Sequence, residues 1–183
     1  PTKPPSIRGR DDTVAGDSGP TSFTTGVNTI NADASLSPAN MQAYIESIRN
    51  YSGTTVLQST QACPMQMTGT STPTNLVTVS NGCTGAAGVN RTLDLGTRSN
   101  PKLVYFRGDT DPSSAFTGLQ LNSGIKGAGI LVVEDGDLKN LGDFTWDGVV
   151  LVTGNYVGAG FMAGSTTNIR GALVAFERQT GEA

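Results

Sequence analysis

The chain has 183 residues, enough to bury a core of its own without a metal or many disulfides. Only 15% of them are charged and 36% are apolar, while 24 are Gly, which argues against a helical bundle and for β structure with many tight turns. A formal charge of -3 with no long basic run leaves no source for the counterion release that drives nucleic-acid binding, and the absence of His excludes Ser-His-Asp and Cys-His catalysis and the usual zinc sites.

Residues 1–36 are polar and interrupted by Pro and Gly, so they are expected to be extended and unable to hold a core. The chain begins at Pro1 rather than Met, as expected after removal of a leader or anchor, or downstream of one. No run approaches the roughly 18 apolar residues that span a bilayer. From Ser37 to Asn50, a Ser that can cap, Pro38 in the first turn, and Met41, Tyr44, Ile45 and Ile48 at helical spacing predict a short amphipathic helix that caps or flanks the fold.

Short β-like runs follow, Thr54 to Gln58 and Leu76 to Val79, so residues 37–100 read as a helix plus a disulfide-bracketed β segment. Cys63 and Cys83 flank a stretch rich in Ser, Thr, Pro and Gly. Neither lies in a CxxC pair, and no His or further Cys completes a metal site, so a disulfide between them is expected, and with it an oxidising compartment. Closing a loop of about 20 residues stabilises by roughly 3 kcal/mol, mainly through the unfolded chain.

Residues 101–183 carry an internal repetition. Leu103-Val-Tyr-Phe-Arg-Gly108-Asp109, Leu131-Val-Val-Glu-Asp-Gly136-Asp137 and Val149-Val-Leu-Val-Thr-Gly154-Asn155 align without gaps, and Leu173-Val-Ala-Phe-Glu177 keeps the apolar run. Gly127, Gly148 and Gly171 precede three of these strands and are expected at sharp corners. Unequal spacing with a constant strand predicts a mainly β fold whose C-terminal half is a short parallel β-solenoid, the helix capping one end; an antiparallel β-sandwich is the alternative.

Glu134, Asp135, Asp137, Asp143 and Asp147 form the best case for catalysis, or for a calcium site at Asp135 and Asp137, but Asp beside Gly is ordinary turn chemistry. Arg107-Gly108-Asp109 spells an adhesion tripeptide yet sits at the repeat's own strand-to-turn position. The sequons Asn50-Tyr-Ser52 and Asn90-Arg-Thr92 matter only in a host that glycosylates them. Phe144 and Trp146 share one face of a strand and read as core filler before they read as a sugar platform. No catalytic, metal-binding or cofactor-binding residue is expected.

The stretch from Gly124 to Glu177 resembles the C-terminal region of PilX-like type IV pilus assembly proteins. The resemblance is carried by Gly127-Ala-Gly129, Ile130 to Val133, Gly136-Asp137, Phe144 and Trp146, Gly148 to Val152, Gly154-Asn155 and Ile169-Arg-Gly171-Ala172. It implies a non-enzymatic, extracytoplasmic component in the periplasm, on the outer face of the inner membrane or at the cell surface. Its partners would be other pilus or envelope proteins, with membrane attachment only through an N-terminal anchor that this chain lacks. The alternative is an extracellular β-helix protein that binds or degrades polysaccharide.

Overall fold

The computed structural model describes residues 8–9, 21–22, 38–58, 65–81, 91–108, 118–154, 159–161 and 164–177. Two compact units divide the chain, Pro1–Met41 and Gln42–Ala183. The first contains an antiparallel pair of two-residue strands, β1 (Arg8–Gly9) and β2 (Thr21–Ser22). Helix α1 (Pro38–Asn50) runs across the boundary. Pro38 occupies the first helical position, where its missing N–H costs nothing, and Arg49 in the last turn complements the helix dipole. Of the expected apolar stripe, Met41, Ile45 and Ile48 are buried and Tyr44 is exposed.

The second unit is built from two sheets. β3 (Thr54–Gln58), β7 (Lys102–Arg107), β9 (Ile125–Glu134), β11 (Phe144–Gly154) and β13 (Thr167–Glu177) form a wholly parallel sheet in the order β13-β11-β9-β7-β3. β4 (Met65–Thr68), β5 (Leu76–Asn81), β6 (Arg91–Asp94), β8 (Leu119–Asn122), β10 (Leu138–Asn140) and β12 (Ala159–Phe161) form a mixed sheet in the order β12-β10-β8-β4-β5-β6. Here β4, β5 and β6 run antiparallel as a meander and the remaining pairs are parallel.

The core lies between inner faces. The parallel sheet contributes Leu57, Val104, Phe106, Leu131, Val133, Val150 and Val152; the mixed sheet contributes Met67, Val77, Val79, Leu119, Leu121 and Leu138. Each such side chain stabilises by roughly 1.5 to 3 kcal/mol when fully buried. Tyr105, Val132 and Leu151 alternate with these core residues and so point to the opposite face of the parallel sheet, yet they too are buried. Unbroken apolar runs such as Val149-Val-Leu-Val follow from cover on both faces. Part of that cover is α1, because Gln42 Nε2 donates to Glu134 Oε1 at 3.3 Å and the Arg49 side chain hydrogen-bonds Tyr105.

This architecture corrects the expected one. It is not a short parallel β-solenoid, because β3 and β4 join the two sheets from the N-terminal half and β5 and β6 extend one of them antiparallel. An antiparallel β-sandwich fails as well, since every neighbour in the five-stranded sheet is parallel. The helix does not cap an end either: its contacts with Tyr105 and Glu134 put Gln42–Asn50 on a sheet face. The four repeated runs do lie side by side, but with Leu103, Ile130, Val149 and Ala172 abreast, one residue away from the sequence alignment at Leu131 and Leu173.

That register is set by glycine. Gly129, Gly148 and Gly171 stand in line across β9, β11 and β13, at φ values of 120°, 141° and 155° that L side chains rarely adopt. A Cβ on Gly148 would fall 2.1 Å from the Gly129 carbonyl oxygen, and one on Gly171 would fall 1.9 Å from that of Gly148. Of the expected corners, Gly148 and Gly171 belong to this line and Gly127 does not. Gly127 is opposite Trp146, and a Cβ there would fall 2.0 Å from the indole ring, so its role is to leave space. Gly148→Val should cost at least about 3 kcal/mol in urea unfolding, by clash and strained backbone together. Gly160→Ala, where a Cβ meets nothing within 4 Å, should stay within about 0.5 kcal/mol.

Candidate functional site

Four of the five carboxylates that suggested catalysis, Glu134, Asp135, Asp143 and Asp147, have distinct structural settings. Asp147 takes Arg98 at 2.8 Å and Arg170 at 3.6 Å, and the Arg98 hydrogen bond, followed by the charges of Arg98 and Arg170, holds its carboxyl below the usual range. Asp143 Oδ1 accepts the Thr166 amide at 2.7 Å and tethers the approach to β13. Asp135 has a φ of 52°, a turn conformation that Asp tolerates. Among the described residues, no group of three or more His, Cys, Asp or Glu could hold a metal ion. Arg107 is exposed and Gly108 donates to the Glu134 carbonyl at 2.7 Å, while Asp109 lies outside the described residues. So do Cys63, Cys83 and Asn90.

Asp135 is buried at 6% exposure, and Glu134 more deeply still at 2%. The Tyr105 hydroxyl donates to its Oε2, Gln42 donates to its Oε1, and Arg49 reaches Tyr105 from α1. Burial, reinforced by the hydrogen bond and charge of Glu134, pushes the Tyr105 phenol up to about 12. Beside Glu134 in the sheet stands Thr153, fully buried, whose Oγ1 finds no hydrogen-bond partner among the described residues. This group pins a helix to a sheet.

Phe144 and Trp146 are core residues, 1% and 0% exposed, with ring centroids 6.1 Å apart. Trp146 Nε1 donates to the Gly129 carbonyl at 3.2 Å, so the indole is satisfied inside the fold. Neither ring is available to a sugar.

The feature that composition did not reveal is the asymmetry of the two ends. At the β3 end, Leu57 is 1% exposed, Val77, Val79 and Leu93 of the β5–β6 meander are buried, and the Arg91 guanidinium occupies the Val56 carbonyl at 3.2 Å, while the Val56 side chain is 47% exposed. At the other end, β13 is an outermost strand of eleven residues with no neighbour beyond it among the described strands. Leu173 is in register with the core residue Val150 and so shares its face, but it is 41% exposed. Ala172 and Ala175 are exposed and Ile169 is only partly buried against the core. A long apolar edge with open N–H and C=O groups is a template for pairing with another chain, which proteins ordinarily blunt with Pro, Lys or short length. The one charged side chain described on β13, Arg170, is already paired with Asp147. The signal in the sequence was Gly171-Ala-Leu-Val-Ala, a glycine-led apolar strand pattern.

Comparison with known proteins places the chain in no family: no family model matches, and neither does any curated protein or solved structure.

Two measurements test the buried cluster. Tyr105 should form phenolate only near pH 12, seen by ultraviolet absorbance. Its folded value lies above the roughly 10 of an unfolded Tyr, so the stability it contributes is complete below about pH 10 and is lost as pH rises towards 12; Tyr105→Phe should remove that alkaline loss and cost about 1 to 3 kcal/mol at neutral pH. Thr153→Val, which removes an unpaired buried hydroxyl without changing shape, should be neutral or stabilising by up to about 1 kcal/mol in thermal unfolding.

Proposed function

We propose that this protein is a non-enzymatic structural component of an extracytoplasmic assembly and acts through protein contacts at the β13 edge. The setting suggested by the resemblance of Gly124 to Glu177 is a type IV pilus or a related surface system. The observation that carries the reading is the unequal finish of the two ends: at one, β5 and β6 bury their core side chains and Arg91 takes a β3 carbonyl, whereas at the other Leu173 is exposed and the outer edge of an eleven-residue strand has no partner among the described residues. Open apolar edges are retained where a partner covers them. The carboxylates give the same reading from the other side, since Asp143 and Asp147 are committed to Thr166 and to Arg98 and Arg170. The polysaccharide alternative loses its platform, because Tyr105, Phe106, Phe144 and Trp146 are all in the interior.

A photo-crosslinking residue at position 173, introduced in the source cell, should yield a discrete adduct with an envelope protein, whereas the same residue at exposed Asn50 should not. Purified protein should give no turnover on a panel of polysaccharide hydrolase and lyase substrates. Reproducible turnover, or equal adducts from both positions, overturns the reading.

A further inference from the structure

The line of glycines does more than shape the sheet, because it extends to the open edge. In β11 the Cβ position of Gly148 lies on the carbonyl oxygen of Gly129, and in β13 that of Gly171 lies on the carbonyl oxygen of Gly148. Gly129 stands in the same relation to Lys102 of β7, with 2.0 Å between its Cβ position and the Lys102 oxygen. Each strand therefore excludes a side chain from the next one outward, always at the same level. Outward of β13 the carbonyl of Gly171 repeats this exclusion, and no described strand answers it.

We propose that the β13 edge accepts an extended segment of another protein that runs parallel to β13 and carries a glycine in register with Gly171, followed by apolar residues facing Leu173 and Ala175. The proposal rests on the reading of this edge as a protein-contact site and names what fits it. The direction follows from the sheet, in which every pair is parallel and Gly129, Gly148 and Gly171 stand in register with positive φ. The apolar requirement follows from Leu173, which lies at the mouth of the core and would be covered by the next residue on its face. In a second copy of this chain, β9 and β11 are paired on both sides, and two β13 edges related by a two-fold axis would run antiparallel. Its β3, the other outermost strand of the parallel sheet, is five residues long with its Val56 carbonyl already taken by Arg91.

The test uses the full chain and two labelled peptides with lysine tails, one copying Phe144 to Gly154 and one identical except for Gly148→Val, with binding read by fluorescence anisotropy. The Gly peptide should bind at least tenfold tighter than the Val peptide, and Leu173→Lys or Ala172→Lys, each checked for unchanged circular dichroism, should weaken it at least tenfold. A spin label on the peptide N-terminus should broaden signals near Thr167 rather than near Ala175. Equal binding of the two peptides overturns the glycine rule while leaving a protein-contact edge in place; binding of neither overturns the docking site itself. Broadening near Ala175, or a concentration-dependent dimer abolished by Leu173→Lys, overturns the parallel foreign strand in favour of antiparallel pairing or a second copy.

Discussion

A carbonyl oxygen that stands where a side chain would otherwise be is the constraint on which this fold turns. The Gly129 oxygen lies 2.1 Å from the missing Cβ of Gly148 and accepts the Trp146 indole at 3.2 Å, so one backbone atom fixes both the register of β11 and the seat of the largest side chain in the core. Two glycines separated by a single residue serve that one tryptophan: Gly127 leaves room for its ring and Gly129 supplies its acceptor. Because a slip of one residue would send every side chain of a strand to the opposite face, a steric lock of this kind is worth more to the fold than the few contacts it involves.

With register fixed, burial follows on both faces. Val150 and Val152 meet the mixed sheet, while Leu151 and its neighbours Val132 and Tyr105 are turned the other way and are buried as well. Apolar residues thus occupy consecutive positions, and a carboxyl side chain, Glu134, is enclosed with them. Tyr105 from β7 and Gln42 from α1 donate to it, and Arg49 reaches Tyr105, which ties the helix to the sheet at a polar point.

How much of this could be read beforehand depended on which residue was taken as the origin. Aligned on the first apolar residue, the runs at Leu103, Leu131, Val149 and Leu173 predict parallel neighbours but the wrong partners. Aligned on Gly129, Gly148 and Gly171, each followed by four apolar residues, they give the register found. Helix α1 was legible from its spacing and from Pro38, and the core roles of Phe144 and Trp146 from their place in apolar runs. The two-sheet architecture was not. Met65 to Thr68 and Arg91 to Asp94 are too short and too polar to announce themselves as strands, and only tertiary pairing with β8 and β5 makes them so. The dispersal of the carboxylates was equally hidden, since Asp143 and Asp147 differ in partner through residues distant in the chain, Thr166 and Arg98.

An exposed strand edge is normally a hazard because almost any extended chain can pair with it. At β3 the strand is short and Arg91 occupies one of its carbonyls, which blunts the edge. At β13 no described residue occupies the edge, but the edge is not a general template either. A strand that approaches in the parallel sense with an ordinary side chain at the level of Gly171 would meet the same kind of oxygen that excludes a Cβ from Gly148 and Gly171, and it would also have to adopt a backbone conformation that only glycine takes without strain. Selectivity here lies in what is refused as much as in what is attracted. The geometry that lets the fold stack its own strands also limits what can follow them, so the edge remains open to a narrow class of sequences without being open to all.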